Sequence, residues 1–294
     1  MSRMFRLPLA LAIFASAPAA PEPLVLKFGV YTSDKPSAMF ASFQPIVDRI
    51  SDEASRRLSR PVTIEMKVSK TYDQCQDALV GGQVDFVRFG PASYVLAQQK
   101  NRNVQLLAME EENGRKRFKG VIIVRADSGI TSLSELKGRS FAFGDPTSTV
   151  GRYLSQAELL KAGIHAKDLK SFEYLNRHDK VAKAVALGDF DAGAVMVSVF
   201  EKENEEGRLK VISSFDNVTK PWIAREGLPA DVCEALRESL LSIRDREILK
   251  ELKISGFVAT SDADFELVRE GMTLASEFEG TARPRAASSP SGNL

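Results

Sequence analysis

The chain has 294 residues, 44% of them hydrophobic, which is enough for two lobes of ordinary domain size, each with its own core. Its 40 basic and 39 acidic residues almost cancel. This balance argues against a nucleic-acid partner or an anionic membrane surface, so any anion site must be built locally from a few placed donors.

The N-terminus has the pattern of a secretory signal peptide over residues 1–19. Arg3 and Arg6 precede an apolar run from Leu7 to Phe14, and Ala17-Pro18-Ala19 supplies the small residues that a signal peptidase requires. The run is too short to span a bilayer. A short N-terminal anchor is the alternative interpretation, but we expect export to the periplasm.

From residue 24 onward, short apolar runs alternate with amphipathic stretches, which is typical of an α/β protein with largely parallel sheets. The predicted strands cover 24–31, 62–68, 86–89, 120–124, 140–143, 172–175, 192–197 and 209–215. The predicted helices cover 40–58, 72–80, 91–99, 148–162, 180–187, 230–243, 245–252 and 265–278. The tail, 280–294, lacks large apolar residues until its last position, which predicts disorder.

A short pattern recurs once in each half of the chain. Gly82-Gln83-Val84-Asp85 joins a predicted helix to a predicted strand, and so does Gly188-Asp189-Phe190-Asp191. Each glycine fits the end of a helix, where a left-handed residue is favoured. Many helix–strand junctions have this form, but the recurrence favours two similar α/β lobes.

The segment with the clearest chemical content follows the strand predicted at 140–143. Thr147, Ser148 and Thr149 stand where a helix begins. The first turn of a helix has free N–H groups and the positive end of the dipole, so it binds a tetrahedral anion readily. Alternatively, a hydroxyl here only caps the helix. The segment has the frame of neither a P-loop nor a nucleophile elbow.

The chain has two cysteines, Cys75 and Cys233, and two histidines. The cysteines are either two separate buried thiols or one disulfide, and the sequence leaves both alternatives open. Because the cysteines and histidines share no ligand spacing, we expect no structural zinc site and no cofactor.

Several segments, in the same order, resemble the phosphate-, phosphite- and phosphonate-binding proteins of ABC importers, the PhnD-type family. They are 82–85 with 89–94, 121–130 with 132–138, 141–149, and 178–179 with 188–194. The resemblance implies a type II periplasmic-binding-protein fold, in which two α/β lobes joined by a two-strand hinge hold the ligand between them. It implies lobe one at 24–119 plus 222–279 and lobe two at 120–218, with crossings near 120–124 and 213–221.

Within this resemblance, Ser148 and Thr149 correspond to a Ser-Thr pair that hydrogen-bonds the phosphoryl-type oxygens of the ligand. Val150 stands where the family has a third hydroxyl, so only its backbone N–H is available there, and Thr147 is a partial replacement. Tyr72 and His178 correspond to cleft residues. The alternatives are a packed aromatic for the tyrosine and a capping or core residue for the histidine.

A helix N-terminus disfavours an imidazolium, so we expect His178 to be a neutral donor. Phe89 stands where some relatives have a cleft tyrosine, and Tyr31 ends the first strand at the cleft. Arg88 either binds the oxyanion through its forked N–H groups or pairs with a carboxylate.

Ser198 and Lys220 correspond to the acidic residues of aminoalkylphosphonate binders. Neither can neutralise an ammonium group. The resemblance therefore argues against 2-aminoethylphosphonate as the ligand.

We therefore expect a periplasmic solute-binding protein that captures phosphate, phosphite or a small alkylphosphonate by hinge closure and delivers it to an ABC permease in the inner membrane. A periplasmic sensor that signals to a membrane kinase or cyclase is the alternative, because the same fold serves both roles. We expect a monomer. We do not expect an enzyme, since Ser148 and His178 lack a recognisable acid partner and oxyanion frame.

Overall fold

The computed structural model describes residues 21–32 and 36–280. The predicted signal peptide and the predicted tail beyond Gly280 lie outside these residues. Within the described residues, no helix is both long and apolar enough to cross a bilayer.

The described residues form an α/β protein. The strands are β1 (Leu24–Tyr31), β2 (Val62–Ser69), β3 (Phe86–Arg88), β4 (Gln105–Glu111), β5 (Arg117–Arg125), β6 (Ser140–Phe143), β7 (Ser171–Tyr174), β8 (Ala192–Met196), β9 (Leu209–Val218), β10 (Pro221–Ala224) and β11 (Gly256–Val258). The α-helices are α1 (Pro36–Leu58), α2 (Tyr72–Val80), α3 (Pro91–Lys100), α4 (Ser155–Lys161), α5 (His178–Leu187), α6 (Val197–Glu203), α7 (Ala230–Ser242), α8 (Arg246–Leu249) and α9 (Glu266–Ala275). A π-helical turn, Thr149–Leu154, leads into α4.

The strands form two sheets. The first has the order β11-β4-β10-β3-β1-β2, and the second has the order β7-β6-β8-β5-β9. The pairs β1–β2, β1–β3, β6–β7 and β6–β8 are parallel, whereas β10 and β5 are antiparallel to their neighbours. The prediction of largely parallel sheets is therefore wrong. The sheets are mixed because the strands that carry the chain from one sheet to the other pair antiparallel.

The repeated pattern occupies equivalent places in the two sheets. Gly82 and Gly188 both have positive φ, 70° and 84°, as the end of a helix requires. An oxygen of Asp85 then accepts the N–H of Lys27 on β1 at 2.8 Å, and an oxygen of Asp191 accepts the N–H of Ser140 on β6 at 2.8 Å. Each aspartate thus ties the start of its own strand to the parallel strand beside it.

The chain passes between the sheets twice, through residues 112–116 and through Thr219–Lys220. The segment 120–124, predicted as a crossing, lies inside β5 of the second sheet. Near the end of the described chain, Phe265 and Val268 pack in the first half, while Phe278 packs against aromatic rings of the second sheet. The division into lobes at 24–119 plus 222–279 and 120–218 stays a prediction.

Most predicted elements agree with the structure, and β1, α2 and β6 agree at both ends. The sequence did not predict β4, α6, β10 or β11. Strand β4 contains Leu106, Leu107, Ala108 and Met109 without alternation, a composition that favours a helix. Helix α6 begins with β-branched residues, which favour a strand. In both places the packing of the folded protein overrides the local preference.

Trp222 is the centre of the core of the first sheet. It lies on β10, is fully buried and stacks on Phe28 with ring centroids 4.7 Å apart. Phe86 and Phe257 lie against the same indole, with centroids at 6.3 and 5.5 Å. One side chain therefore holds strands β1, β3, β10 and β11 together.

Replacing Trp222→Ala should lower the free energy of unfolding by about 3–5 kcal/mol, because the change leaves a large cavity among these rings. Urea denaturation monitored by circular dichroism measures this free energy. Fluorescence is unsuitable, because Trp222 is the only tryptophan in the chain and the substitution removes it. Val25→Ala is the control: that side chain is 53% exposed, and its loss should cost less than about 0.5 kcal/mol. Equal effects in the two variants would contradict this account of the core.

Candidate functional site

A cavity of about 250 Å³ lies between the two sheets. We call it the cleft cavity. Seven of the nine residues that the sequence proposed for the site line it: Tyr31, Tyr72, Arg88, Ser148, Thr149, Val150 and His178. The first three belong to the half that contains the first sheet and the others to the half that contains the second. The cavity is therefore lined from both sides of the fold.

The hydroxyl-rich segment begins a helical turn at the edge of the cleft cavity, as predicted. Ser148 is the N-cap, and its Oγ accepts the N–H of Gly151 at 3.0 Å. The turn that follows is π-helical, a wide form found frequently at functional sites. Thr149 and Val150 are its first residues, so their N–H groups have no acceptor within the turn.

Two glycines set the position of this turn. The N–H of Gly144, just after β6, donates to the carbonyl of Gly151 at 2.8 Å. A Cβ on Gly151 would lie 2.8 Å from the Cα of Gly144, closer than two such carbon atoms approach. Only glycine fits here, and it allows the turn to start directly at the end of a central strand.

The turn also contacts the opposite half of the fold. The Oγ1 of Thr149 accepts the N–H of Ala92, in the first turn of α3, at 2.9 Å. The side chain of Ser148 lies near the Tyr72 hydroxyl and partly offsets the rise in its pKa that burial causes. Both hydroxyls that the sequence selected therefore face the opposite side of the cleft.

Tyr31 and Tyr72 form an aromatic pair on the first-sheet side. Their rings stack with centroids 3.6 Å apart, and each side chain is 7% exposed. Burial raises the pKa of Tyr31 to about 12 and holds the pKa of Tyr72 well above its usual value. Both hydroxyls therefore keep their protons at neutral pH and remain hydrogen-bond donors. The Tyr31 oxygen accepts the N–H of Gly90.

Arg88 pairs with a carboxylate, which was the second of the two alternatives for this residue. Its Nε and Nη2 donate to the two oxygens of Glu110 at 2.7 and 2.9 Å. Burial opposes ionisation of Glu110, but Arg88 outweighs it and holds the pKa of that carboxyl below its usual value. The guanidinium still lines the cleft cavity, but its charge is largely neutralised.

Thr147 and Phe89 do not line the cleft cavity. The N–H and Oγ1 of Thr147 both donate to Oδ1 of Asp145 at 2.7 Å, so this residue shapes the loop before the turn. Phe89 is buried beside Tyr31, with ring centroids 6.1 Å apart. Strand alternation explains the difference, because Arg88 and Phe89 are neighbours and point to opposite faces.

His178 starts α5, is 6% exposed and lies near Gly144. Burial lowers its pKa to about 4, so the imidazole is neutral at pH 7, as predicted. The carbonyl of Ala194 is its backbone hydrogen-bonding partner. Its Nδ1 is buried and has no partner among the described residues. Because the single N–H of the neutral ring faces that carbonyl, the unused Nδ1 is an acceptor, and the ring does not present the donor that the sequence predicted.

Sequence reasoning missed Asn217 and Glu112, and it considered Ser198 and Lys220 only as departures from a family pattern. All four line the cleft cavity. Asn217 and Lys220 lie in the segment expected to cross between the lobes. Their place in that segment was the available signal, because Asp216 and Thr219 beside them are polar as well. Glu112 follows β4, which was not predicted, so nothing indicated that it would face the cleft.

Two mixed sheets with a cleft between them, lined by donors from both sides, define a two-lobed periplasmic binding protein. Residues 28–265 match the family described as ABC transporter, phosphonate, periplasmic substrate-binding protein. The chain belongs to this family, which confirms the resemblance seen in the sequence. It is thus a substrate-binding component of an ABC importer, and such components work in the periplasm.

A probable phosphite-binding protein of an ABC transporter from Prochlorococcus marinus is 28% identical over 246 residues, 78% of this chain and 79% of that protein. A phosphate-import protein from Mycolicibacterium smegmatis is 23% identical over 277 residues, 84% of each. The structure of a Prochlorococcus marinus relative in complex with methylphosphonate has a TM-score of 0.74 at 23% identity, covering 86% of this chain and 98% of that one. The structural similarity confirms the type II fold.

The buried His178 makes stability depend on pH. Its pKa falls from 6.5 to about 4 on folding, so between these values the unfolded chain binds a proton that the folded protein does not. Acidification from pH 6.5 to 4 should therefore remove up to about 3 kcal/mol of stability through this group.

His178→Gln should make the fall of unfolding free energy over this range shallower, as measured by urea denaturation at half-unit intervals of pH. The matched control is His165→Gln, at the exposed histidine, which should keep the wild-type slope. The burial argument fails if both variants give the same slope.

Proposed function

We propose that the protein captures a small phosphorus oxyanion, namely phosphate, phosphite or a small alkylphosphonate, and delivers it to the permease of an ABC importer. The observation that supports this most is the π-helical turn, where the N–H groups of Thr149 and Val150 and the hydroxyl of Ser148 meet at the cleft. The names of the curated relatives, phosphite binding and phosphate import, support the same ligand class.

In this proposal the oxyanion accepts hydrogen bonds from the start of the turn, where the helix dipole adds a favourable field. Tyr72 supplies a further uncharged donor from the side of the first sheet. Val150 presents only its N–H, because its side chain belongs to the apolar cluster that contains Phe118. One side of the ligand therefore faces an apolar wall, which suits an oxyanion with a hydrogen or an alkyl group on phosphorus.

Capture is proposed to occur by rotation of the two halves about the two connecting segments. A ligand that contacts both halves stabilises the arrangement in which they are close. The contacts of Thr149 with Ala92 and of Ser148 with Tyr72 support this, because they lie where a ligand would join the same surfaces. The proposal includes export by the signal peptide at 1–19 and action as a monomer.

Binding is proposed to proceed without turnover. Ser148 accepts the N–H of Gly151, and the backbone partner of His178 is a carbonyl rather than a carboxylate. A serine nucleophile needs a histidine base that is oriented by an acid. The described side chains do not supply that arrangement at Ser148.

Isothermal titration calorimetry of the purified protein with phosphate, phosphite and methylphosphonate tests the ligand class. We expect saturable binding of at least one of the three and a matching rise in melting temperature. No heat and no thermal shift with all three ligands would overturn the proposed function.

Ser148→Ala should weaken binding of the preferred ligand about 10- to 100-fold, because a hydrogen bond to a charged group is lost. The same variant loses the N-cap, so thermal melting should be recorded in parallel. Ser171→Ala, at an exposed serine on β7, is the control and should leave affinity unchanged. Wild-type affinity in Ser148→Ala would exclude this hydroxyl from the site.

A further inference from the structure

Two polar side chains line the cleft cavity where the chain returns to the first sheet: Asn217 near the end of β9, and Lys220 in the return connection Thr219–Lys220. Neither takes part in the proposed binding of the phosphorus group at the π-helical turn. Both are held on a fixed backbone: the N–H of Thr219 donates to the carbonyl of Lys116 at 3.1 Å, and the carbonyl of Lys220 accepts the N–H of Glu110 at 3.0 Å. These two bonds anchor the connection to the neighbouring chain and place it in the cavity wall.

Asn217 has an amide group with half of its hydrogen-bonding capacity unused. The residue is fully buried, and its Oδ1 accepts the N–H of Val218 at 2.8 Å, which orients the amide. Its Nδ2 has no partner among the residues that the structure describes. An unused buried donor is costly, so a donor in this position at a cavity indicates an acceptor on the ligand.

Lys220 makes no salt bridge, because no acidic oxygen in the described part of the chain lies within ion-pairing distance of its Nζ. Burial lowers the pKa of Lys220, whereas the more distant charges of Glu110 and Glu112 favour its ammonium form. The Nζ lies over the ring of Phe118, 4.9 Å from the ring centroid. Arg88 is neutralised by Glu110, so it does not compete for the same negative charge. A partly buried ammonium on an aromatic wall favours an anionic group in the cavity.

Phe118 brings the two side chains together. Asn217 is its direct register partner across β5 and β9, so the two side chains lie on the same face of the sheet. Lys220 lies over the same ring, and Val150 of the π-helical turn belongs to the same apolar cluster as Phe118. The amide donor and the ammonium therefore lie beside the proposed binding site of the phosphorus group. The apolar side chains of Phe118 and Val150 separate them from that site.

We infer that Asn217 and Lys220 form a second subsite, which selects phosphorus oxyanions whose organic substituent carries a carboxylate. The inference rests on the proposed function, because it assigns the substituent of a ligand whose phosphorus group is held at Ser148–Val150. The apolar wall between the two polar regions suits a short carbon spacer. The carboxylate would accept hydrogen bonds from Nδ2 of Asn217 and from the ammonium of Lys220.

Two acidic residues that line the cleft cavity, Glu112 and the exposed Glu251, oppose this inference, because a carboxylate there would instead attract an ammonium-bearing substituent. Burial raises the pKa of Glu112, and the positive charge of Lys220 acts in the opposite direction. An ammonium-bearing ligand therefore separates the two possibilities.

Calorimetry of the full protein with methylphosphonate, phosphonoacetate and 2-aminoethylphosphonate tests the subsite without any variant. We expect phosphonoacetate to bind about tenfold more tightly than methylphosphonate, and 2-aminoethylphosphonate to bind more weakly than either. Phosphoglycolate carries its carboxylate on a phosphate ester. Comparing its affinity with that of phosphonoacetate shows whether the protein prefers a phosphonate or a phosphate ester. Equal affinity for methylphosphonate and phosphonoacetate, or preference for the ammonium-bearing ligand, would overturn the inference.

Lys220→Met should reduce the ratio of the methylphosphonate and phosphonoacetate dissociation constants about tenfold, while Lys220→Arg should retain most of it. Asn217→Leu should reduce the ratio by a smaller factor. Lys119→Met is the matched control: it removes one positive charge from an exposed neighbour of Phe118, paired with Asp216, and should keep the wild-type ratio. An unchanged ratio in Lys220→Met would also reject the subsite.

The two proposals fail in different ways. If methylphosphonate, phosphate and phosphite all fail to bind, the proposed function is wrong. If one of them binds but a carboxylate on the substituent adds no affinity, only the subsite is wrong.

Discussion

The carboxylate of Glu110 is the interaction on which the first sheet and its side of the cleft depend. It lies on β4 and accepts two hydrogen bonds from Arg88 on β3 and one from the indole of Trp222 on β10, at 3.2 Å. Strand β10 lies between the other two, so one buried group ties three adjacent strands at the point where the chain returns from the second sheet. Leaving such a charge unpaired costs about 3–5 kcal/mol.

This ion pair also decides the electrostatics of the cleft. Arg88 reaches the cleft cavity, but its forked N–H groups are committed to Glu110. In the proposed function, an oxyanion is then bound by neutral donors, namely backbone N–H groups and hydroxyls. Neutral donors in a water-poor site bind an anion without the desolvation cost of a buried cation. Lys220, on the return connection, adds one basic side chain to these neutral donors.

Much of this could be predicted from the sequence, because local patterns determine it. The limits of β1, α2 and β6 follow from periodicity and caps, and the turn at Ser148 follows from hydroxyls placed after a buried strand. The partner of Arg88 could not be predicted, because Glu110 lies 22 residues away in a strand with a helix-like composition. Asn217 was missed for a similar reason: only the pairing with Phe118 shows which face its amide occupies.

Helix α9 gives the two sheets a third mechanical connection besides the two chain crossings. Val268 packs in the first half, whereas Phe278, just beyond the helix, lies 5.6 Å from Phe143 of the second sheet, measured between ring centroids. Between them, Gly271 packs directly against the side chain of Leu154, the last residue of the π-helical turn, and a Cβ at this position would require that side chain to move. Any separation of the two halves therefore has to break this contact at the C-terminal helix as well as the contacts at the cleft.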